Sequence, residues 1–318
     1  MANPGTKPAR RREPKIFPTY SSFLRERFGR RVRKIPVDGG FTCPNRDGSR
    51  GRGGCIFCDN RAFSPAAGRG SSVSSQLSRG QPAQGRQARA FIAYFQPFTG
   101  TYAPVARLRQ LFEEAIRFPE VVGVAVATRP DCLPEPILDY LQELGEKTFL
   151  SVELGIQTLE DQTLKFIRRG HRARESLQAM EALSSRGLSW TAHLILGLPG
   201  ETEREMKRSA AEVCARGPAG LKFHQLMVIR QTDLERLWRQ GTVRTLELEE
   251  YAGILGDILE ETPPTLVIHR LAADCRPDRG LLAPAWSAQK TRARDFILRE
   301  LARRGILFLN SGLSSTGA

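Results

Sequence analysis

The chain has 318 residues, which at about 100–200 residues per domain allows one large α/β domain or two modest ones. Apolar residues make up 40% of it, enough for a sizeable core, and no apolar run approaches the ~18 residues of a membrane helix, so no membrane partner is expected. Net charge is +14, and Lys supplies only eight of the 48 basic residues. Two explanations stand side by side. One is a coding bias that places Arg on solvated faces. The other is attraction to a polyanion such as RNA, because Arg neutralises phosphate and releases counterions. Clear basic clusters occur only at Arg10–Arg12 and Arg30–Lys34.

Residues 1–19 read as a disordered basic tail, with no apolar h-region of a secretory leader. A β-prone run follows at Val32–Val37, then a loop rich in Gly and Cys over Asp38–Asn60. Ser64–Arg89 is poor in hydrophobics, and Gly80, Pro82 and Gly85 argue against a robust helix there. A weak helix or a mobile connection is expected. From Phe91 the pattern alternates. Strands are expected at Phe91–Gln96, Val121–Thr128, Thr148–Gln157, Ser189–Leu196, Leu221–Val228 and Thr265–His269. Helices are expected at Pro104–Phe118, Pro134–Leu144, Leu159–Arg168, Arg174–Arg186, Glu201–Ala215, Glu247–Glu260 and Ala288–Arg304. Such alternation means βα units on a parallel sheet, either open or curled into a partial barrel, with ligands at the C-terminal strand ends. Residues 311–318 are small and polar and read as a second disordered tail.

Of six cysteines, Cys132, Cys214 and Cys275 are scattered, while Cys43, Cys55 and Cys58 lie within sixteen residues. That is no disulfide framework; it suits a reducing cytoplasm and one metal site. Gly48, Gly51, Gly53 and Gly54 let the backbone of this loop wrap closely. A structural zinc takes four protein ligands, and no fourth lies nearby in sequence. Zinc with a distant fourth ligand remains one reading. Three thiolates on a four-iron cluster, with one iron open to a substrate, is the other.

The cluster follows the first strand of a βα series, and an aromatic, Phe57, precedes its last cysteine. In these features the chain resembles the radical S-adenosylmethionine (SAM) superfamily. The superfamily's usual cysteine spacing is C-x3-C-x2-C, whereas eleven residues separate Cys43 from Cys55 here. That longer gap is similar to the branch containing the Elongator catalytic subunit, and the chain resembles most the bacterial YhcC-type members. The likeness rests on Lys34–Gly48, Ile92–Gln96, Thr101–Pro104, Thr128–Leu133, Val152–Thr158, Arg169–His171 and His193–Thr202. It runs from about residue 20 to about residue 304.

The resemblance implies a partial (β/α)6 TIM-like barrel of parallel strands, with a core at 20–245 and a C-terminal α/β extension at 246–310 packed on it. It implies a [4Fe–4S] cluster on Cys43, Cys55 and Cys58 that reductively cleaves SAM. The resulting 5′-deoxyadenosyl radical would act on an unidentified substrate, RNA or a small metabolite, with flavodoxin or ferredoxin as one-electron donor. A zinc-stabilised nucleic-acid-binding protein without catalysis is the rival. The resemblance further implies SAM contacts from Phe57, Gln96, Glu153, Gln157, Arg169, His193 and Gly197. Thr99 could join Gln96 in accepting from the methionine amino group. Each has a plainer reading: a polar sheet edge for Glu153 and Gln157, a helix-end arginine for Arg169, a backbone-bonded core histidine for His193, an ordinary turn for Gly197. Cys132 is a candidate hydrogen donor or relay, or simply a small buried hydrophobe. Asp131 would cap the next helix or touch substrate.

Overall fold

In the computed structural model, residues 13–64, 70–81 and 90–309 are described. Among the described residues eleven strands run in chain order: β1 Lys15–Phe17, β2 Val32–Val37, β3 Ala90–Phe95, β4 Val121–Thr128, β5 Phe149–Gln157, β6 Trp190–Leu196, β7 Gly220–Gln225, β8 Val228–Ile229, β9 Val267–Arg270, β10 Leu281–Ala283 and β11 Ile306–Phe308. Seven of them form one sheet in the order β2-β3-β4-β5-β6-β7-β9, every pair parallel. All seven fall where the sequence pattern puts strands. The helices between them bury one stripe each; in Val105–Arg117 it is Leu108, Leu111, Phe112 and Ala115, the spacing of one helical face.

The sheet is curled. In a flat sheet β3 and β7, four strands apart, would be separated by about 19 Å. Yet the Tyr94 hydroxyl of β3 lies 3.0 Å from Lys222 Nζ of β7. The half-barrel therefore brings inward-pointing side chains of distant strands together. The expected six βα units are present, and β9, from the C-terminal extension, adds a seventh strand at the far edge.

Helix Tyr20–Phe28 packs under the N-terminal ends of the strands. Thr19 caps it, accepting from Ser22 N, and Gly29 ends it in the left-handed conformation. Its Leu24 clusters with Ile92, Tyr94 and Ala125, and Phe23 and Phe28 lie against Phe149. This corrects the expected tail over 1–19 in part: β1 pairs with β11, and Thr19 bridges to Ile268 of β9. Residues 1–12 and 310–318 lie outside the described residues. Val73–Gly80 is a helix capped by Ser72, with Val73 and Leu77 buried. The polar composition of that segment hid an amphipathic face.

No helix among the described residues is long and apolar enough to cross a membrane.

Candidate active site

A cavity of about 460 Å³ opens at the C-terminal ends of the strands. Cys43, Cys55 and Cys58 all line it. The loop that carries them folds on itself: Arg46 N donates to Cys43 O, Gly54 N to Asn45 O and Cys58 N to Cys55 O. The Asn45 side chain fills the space left by Gly51 and Gly170. A Cβ at Gly51 would sit 2.5 Å from Asn45 Oδ1, and one at Gly170 2.7 Å. That close approach is why glycine occupies both positions.

Each sulfur receives N–H groups. Asn45 Nδ2 lies 3.5 Å and Arg169 Nη1 3.7 Å from Cys55 Sγ, Arg129 Nη1 lies 3.9 Å from Cys43 Sγ, and Asn60 Nδ2 lies 3.8 Å from Cys58 Sγ. Burial pushes the Cys58 thiol up to about 11, and Cys55 and Cys43 add to this while Arg46 opposes it. Such a donor set, with cationic and amide N–H groups on crowded thiols, suits thiolates that a bound metal centre would neutralise. Among the described residues, no three His, Cys, Asp or Glu side chains converge on a single ion.

Arg169, Gly170 and His171 form the turn beside the cysteine loop. Arg169 is buried, not a surface residue, and donates to Gly155 O at 2.5 Å through Nη2. Its buried Nε–H has no partner among the described residues. Arg129 forks onto Asp131 with two bonds of 2.9 Å and reaches Arg169 O. Asp131 thus neither caps the following helix nor faces the cavity; burial raises its pKa, but Arg129 outweighs that and holds the carboxyl below its usual range. Cys132 is buried below this pair and is absent from the cavity wall. Burial and Asp131 push its thiol up to about 12.

Below the rim lies a second cluster. Glu153 of β5 is fully buried. One carboxylate oxygen meets Lys34 Nζ of β2; the other accepts from Tyr94 OH at 2.6 Å, Lys222 Nζ at 2.6 Å and His193 Nε2 at 2.8 Å. Burial alone would raise its pKa, but Lys222, Lys34 and His193 outweigh that and hold it well below the carboxylate range. His193 is pulled down to about 4, first by burial and then by Lys222, so at neutral pH it donates to Glu153 as a neutral ring. It bonds the carboxylate, not the backbone, and lies against His224 with centroids 5.7 Å apart.

Of the sequence-named contacts, Phe57, Gln96, Thr99, Glu153, Gln157, Arg169 and His193 line the cavity; Gly197 does not. A Cβ on Gly197 would sit 2.8 Å from Leu246, and its N–H points to Met206 Sδ. Gln157 lines the wall with φ +71°, a conformation rare for a residue with a Cβ, at a shift in the β5–β6 register. Sequence reasoning missed Asn45, Asn60, Arg129, Tyr94, Lys34, Lys222, His224 and Arg270. Lys222 carried a usable signal. A cation inside the apolar strand β7 is as anomalous as the carboxylate inside β5, and the two are each other's answer.

Fold and site together define a parallel (β/α) half-barrel with a thiol-lined mouth, a scaffold for metal- or cofactor-dependent chemistry. The chain belongs to the radical SAM superfamily, which it matches over residues 48–213, followed by a match to the Radical_SAM C-terminal domain over 218–303. It is therefore an enzyme of the radical SAM class. It is 36% identical over 293 residues to Protein YhcC of Escherichia coli, covering 92% of this chain and 94% of that protein. It is 32% identical over 156 residues to a tRNA uridine(34) acetyltransferase of Dehalococcoides mccartyi, spanning 48% of this chain and 33% of that one. In fold it is similar to the archaeal Elp3 of Methanocaldococcus infernus, with TM-score 0.62, 17% identity, and coverage of 86% of this chain and 63% of that one. The superfamily implies SAM and a [4Fe–4S] cluster as cofactors, and a reductant.

Proposed function

We propose that Cys43, Cys55 and Cys58 hold the [4Fe–4S] cluster and that the cavity below them binds SAM and the substrate. The observation that carries this reading is the convergence of all three thiols on one cavity, each sulfur backed by a side-chain N–H. When bound, such a cluster supplies the electron that splits SAM into methionine and a 5′-deoxyadenosyl radical. The protein's own part is placement and exclusion of water. Arg129 and Arg169, both buried, orient toward the sulfurs and keep the rim electropositive. The orphaned Arg169 Nε–H is suited to a carboxylate such as that of methionine. Phe57, Gln96 and Gln157 flank the space an adenosyl group would occupy. Glu153 has both oxygens engaged by protein groups, so its role is to anchor the barrel interior, with His193, and not to contact the ribose directly. In this reading residues 20–245 form the core, and 246–310 complete the cavity with Arg270, Asp274 and Lys290. A flavodoxin or ferredoxin delivers the electron. RNA is the favoured substrate class over a free metabolite, on the net charge of +14 and the partial likeness to a tRNA-modifying enzyme.

The test is anaerobic reconstitution with iron and sulfide, reduction with dithionite, addition of SAM, and chromatography for 5′-deoxyadenosine. The native chain should form it. The triple variant Cys43→Ala, Cys55→Ala, Cys58→Ala should bind no cluster and form none. Stoichiometric zinc with no iron–sulfur absorption would overturn the reading and favour a zinc-stabilised nucleic-acid-binding protein.

A further inference from the structure

The inner wall opposite the cysteine rim carries more positive charge than its neighbours neutralise. Lys222 on β7 and Arg270 at the end of β9 line it, and Lys34 on β2 reaches the same carboxylate as Lys222. Glu153 is the carboxylate between them, and it engages Lys34 and Lys222. Lys290 and Asp274 form a pair of their own at 2.9 Å. Among the described residues, the Arg270 guanidinium makes no ion pair or hydrogen bond. Its charge nevertheless reaches inward, helping to hold His193, His224 and Lys222 below their usual pKa values after the larger effect of burial. His224, two residues beyond Lys222 on the same strand, also faces the cavity, and its buried Nε2 has no partner. Arg270 is exposed at the cavity mouth, where its guanidinium stays available to a ligand, whereas the orphaned ring nitrogen of His224 is buried in the wall and is costly unless a ligand group arrives to meet it.

We infer that Lys222, His224 and Arg270 form a subsite for an anionic group of the substrate, a carboxylate or a phosphate. The inference rests on reading this cavity as the active site. The wall is set apart from the groups proposed to hold SAM: those come from the cysteine loop, β3, β5 and the Arg169 turn, whereas β7 and β9 stand at the other edge of the sheet. Arg270 is also placed to meet an incoming ligand. A second cavity, of about 420 Å³, lies between the start of helix Tyr20–Phe28 and helix Lys290–Arg303, and shares Arg270, Asp274 and Lys290 with the first. The guanidinium therefore stands where the two cavities adjoin. Guanidinium, ammonium and imidazole N–H donors around one space match the several acceptor lone pairs of a carboxylate or phosphate.

The test is anion binding to the full-length anaerobic chain by titration calorimetry at constant ionic strength. Inorganic phosphate is the probe in one arm and acetate in the other. At least one should bind, and the preferred arm identifies the substrate group. Arg270→Gln should weaken that binding about ten-fold or more. Lys222→Met should do the same, with Glu153 still paired to Lys34. Arg244→Gln, an exposed arginine paired with Glu250, should leave it unchanged. Should Lys222→Met fail to fold, Arg270→Gln decides alone. Binding of neither anion, or binding untouched by Arg270→Gln, overturns the subsite. So does displacement of the anion by SAM, which would assign the wall to the methionine carboxylate. The readout needs no cluster and no SAM cleavage, so this result and the outcome for the radical reaction are separate.

Discussion

The cysteine rim and the Glu153 cluster beneath it face the same cavity but are built on opposite principles. The rim comes from one continuous loop, its sulfurs are crowded, and a donor beside them, Arg169 Nε, is orphaned. The cluster draws Lys34, Tyr94, Glu153, His193 and Lys222 from five strands, and the carboxylate at its centre is saturated. A group left with spare bonding capacity is placed to receive a ligand; one with none is placed to hold strands together. In the proposed reading the rim is the reactive region, and the cluster fixes the curl of the sheet that shapes the cavity under it.

This contrast can be broken in three ways. The largest effect is expected on acidification. All four histidines of the chain are held neutral in the fold: His171 at about 3, His193 at about 4, and His224 and His269 well below 6.5, each chiefly by burial. The unfolded chain takes up protons below pH ~6.5 that the native chain refuses, so stability is present above that pH and is lost as pH falls. His171 and His193 each contribute about 2 kcal/mol to the loss between pH 7 and pH 5, and His224 and His269 add to it with the same sign. Glu201, pushed up to about 7 by burial, works with the opposite sign and offsets one of them. A net loss of several kcal/mol should appear in urea unfolding at the two pH values. Equal midpoints would mean that the histidine rings are solvated and the barrel interior is wetter than described.

Next in size is Glu153→Ala, which leaves Lys34 and Lys222 without their counter-charge. A cost of about 3–5 kcal/mol is expected, read from the same urea midpoints at pH 7. A cost below 1 kcal/mol would show that the cluster does not hold the curl. The smallest effect on stability belongs to the rim. Cys43 is only half-buried and sits in no packed layer, so Cys43→Ala should cost about 1 kcal/mol or less while abolishing iron–sulfur absorbance after reconstitution. A large loss of stability in the metal-free variant would make the rim structural and erase the difference between the two regions.

Much of the fold was legible in the chain. Seven strands and seven of the helices follow from periodicity, because each strand is a short apolar run and each helix buries one face. Helix Tyr20–Phe28 was hidden by its place just after a basic tail, although Tyr20, Phe23, Leu24 and Phe28 have helical spacing. The shared placement of Cys43, Cys55 and Cys58 on one cavity was legible because the three lie in one loop. Glu153 was legible as an anomaly, a carboxylate inside an apolar strand, but its partners were not. Lys34 looked like one more member of the Arg30–Lys34 basic run, and Lys222 stood in a strand read only for its apolar neighbours.

By itself, then, the sequence determined the alternation of strands and helices, the three-thiol loop and the family, since these depend on residues near one another in the chain. Only the tertiary structure decided which charges meet. Arg169 reaching Cys55, Arg129 reaching Cys43, and Lys34 meeting Lys222 across Glu153 all depend on how far the sheet curls. That curl is the sum of small twists between seven strands and the packing of helix Tyr20–Phe28 beneath them. No local pattern encodes such a sum, and so the pairing of buried charges, and with it the wall of the cavity, emerges only when the barrel closes.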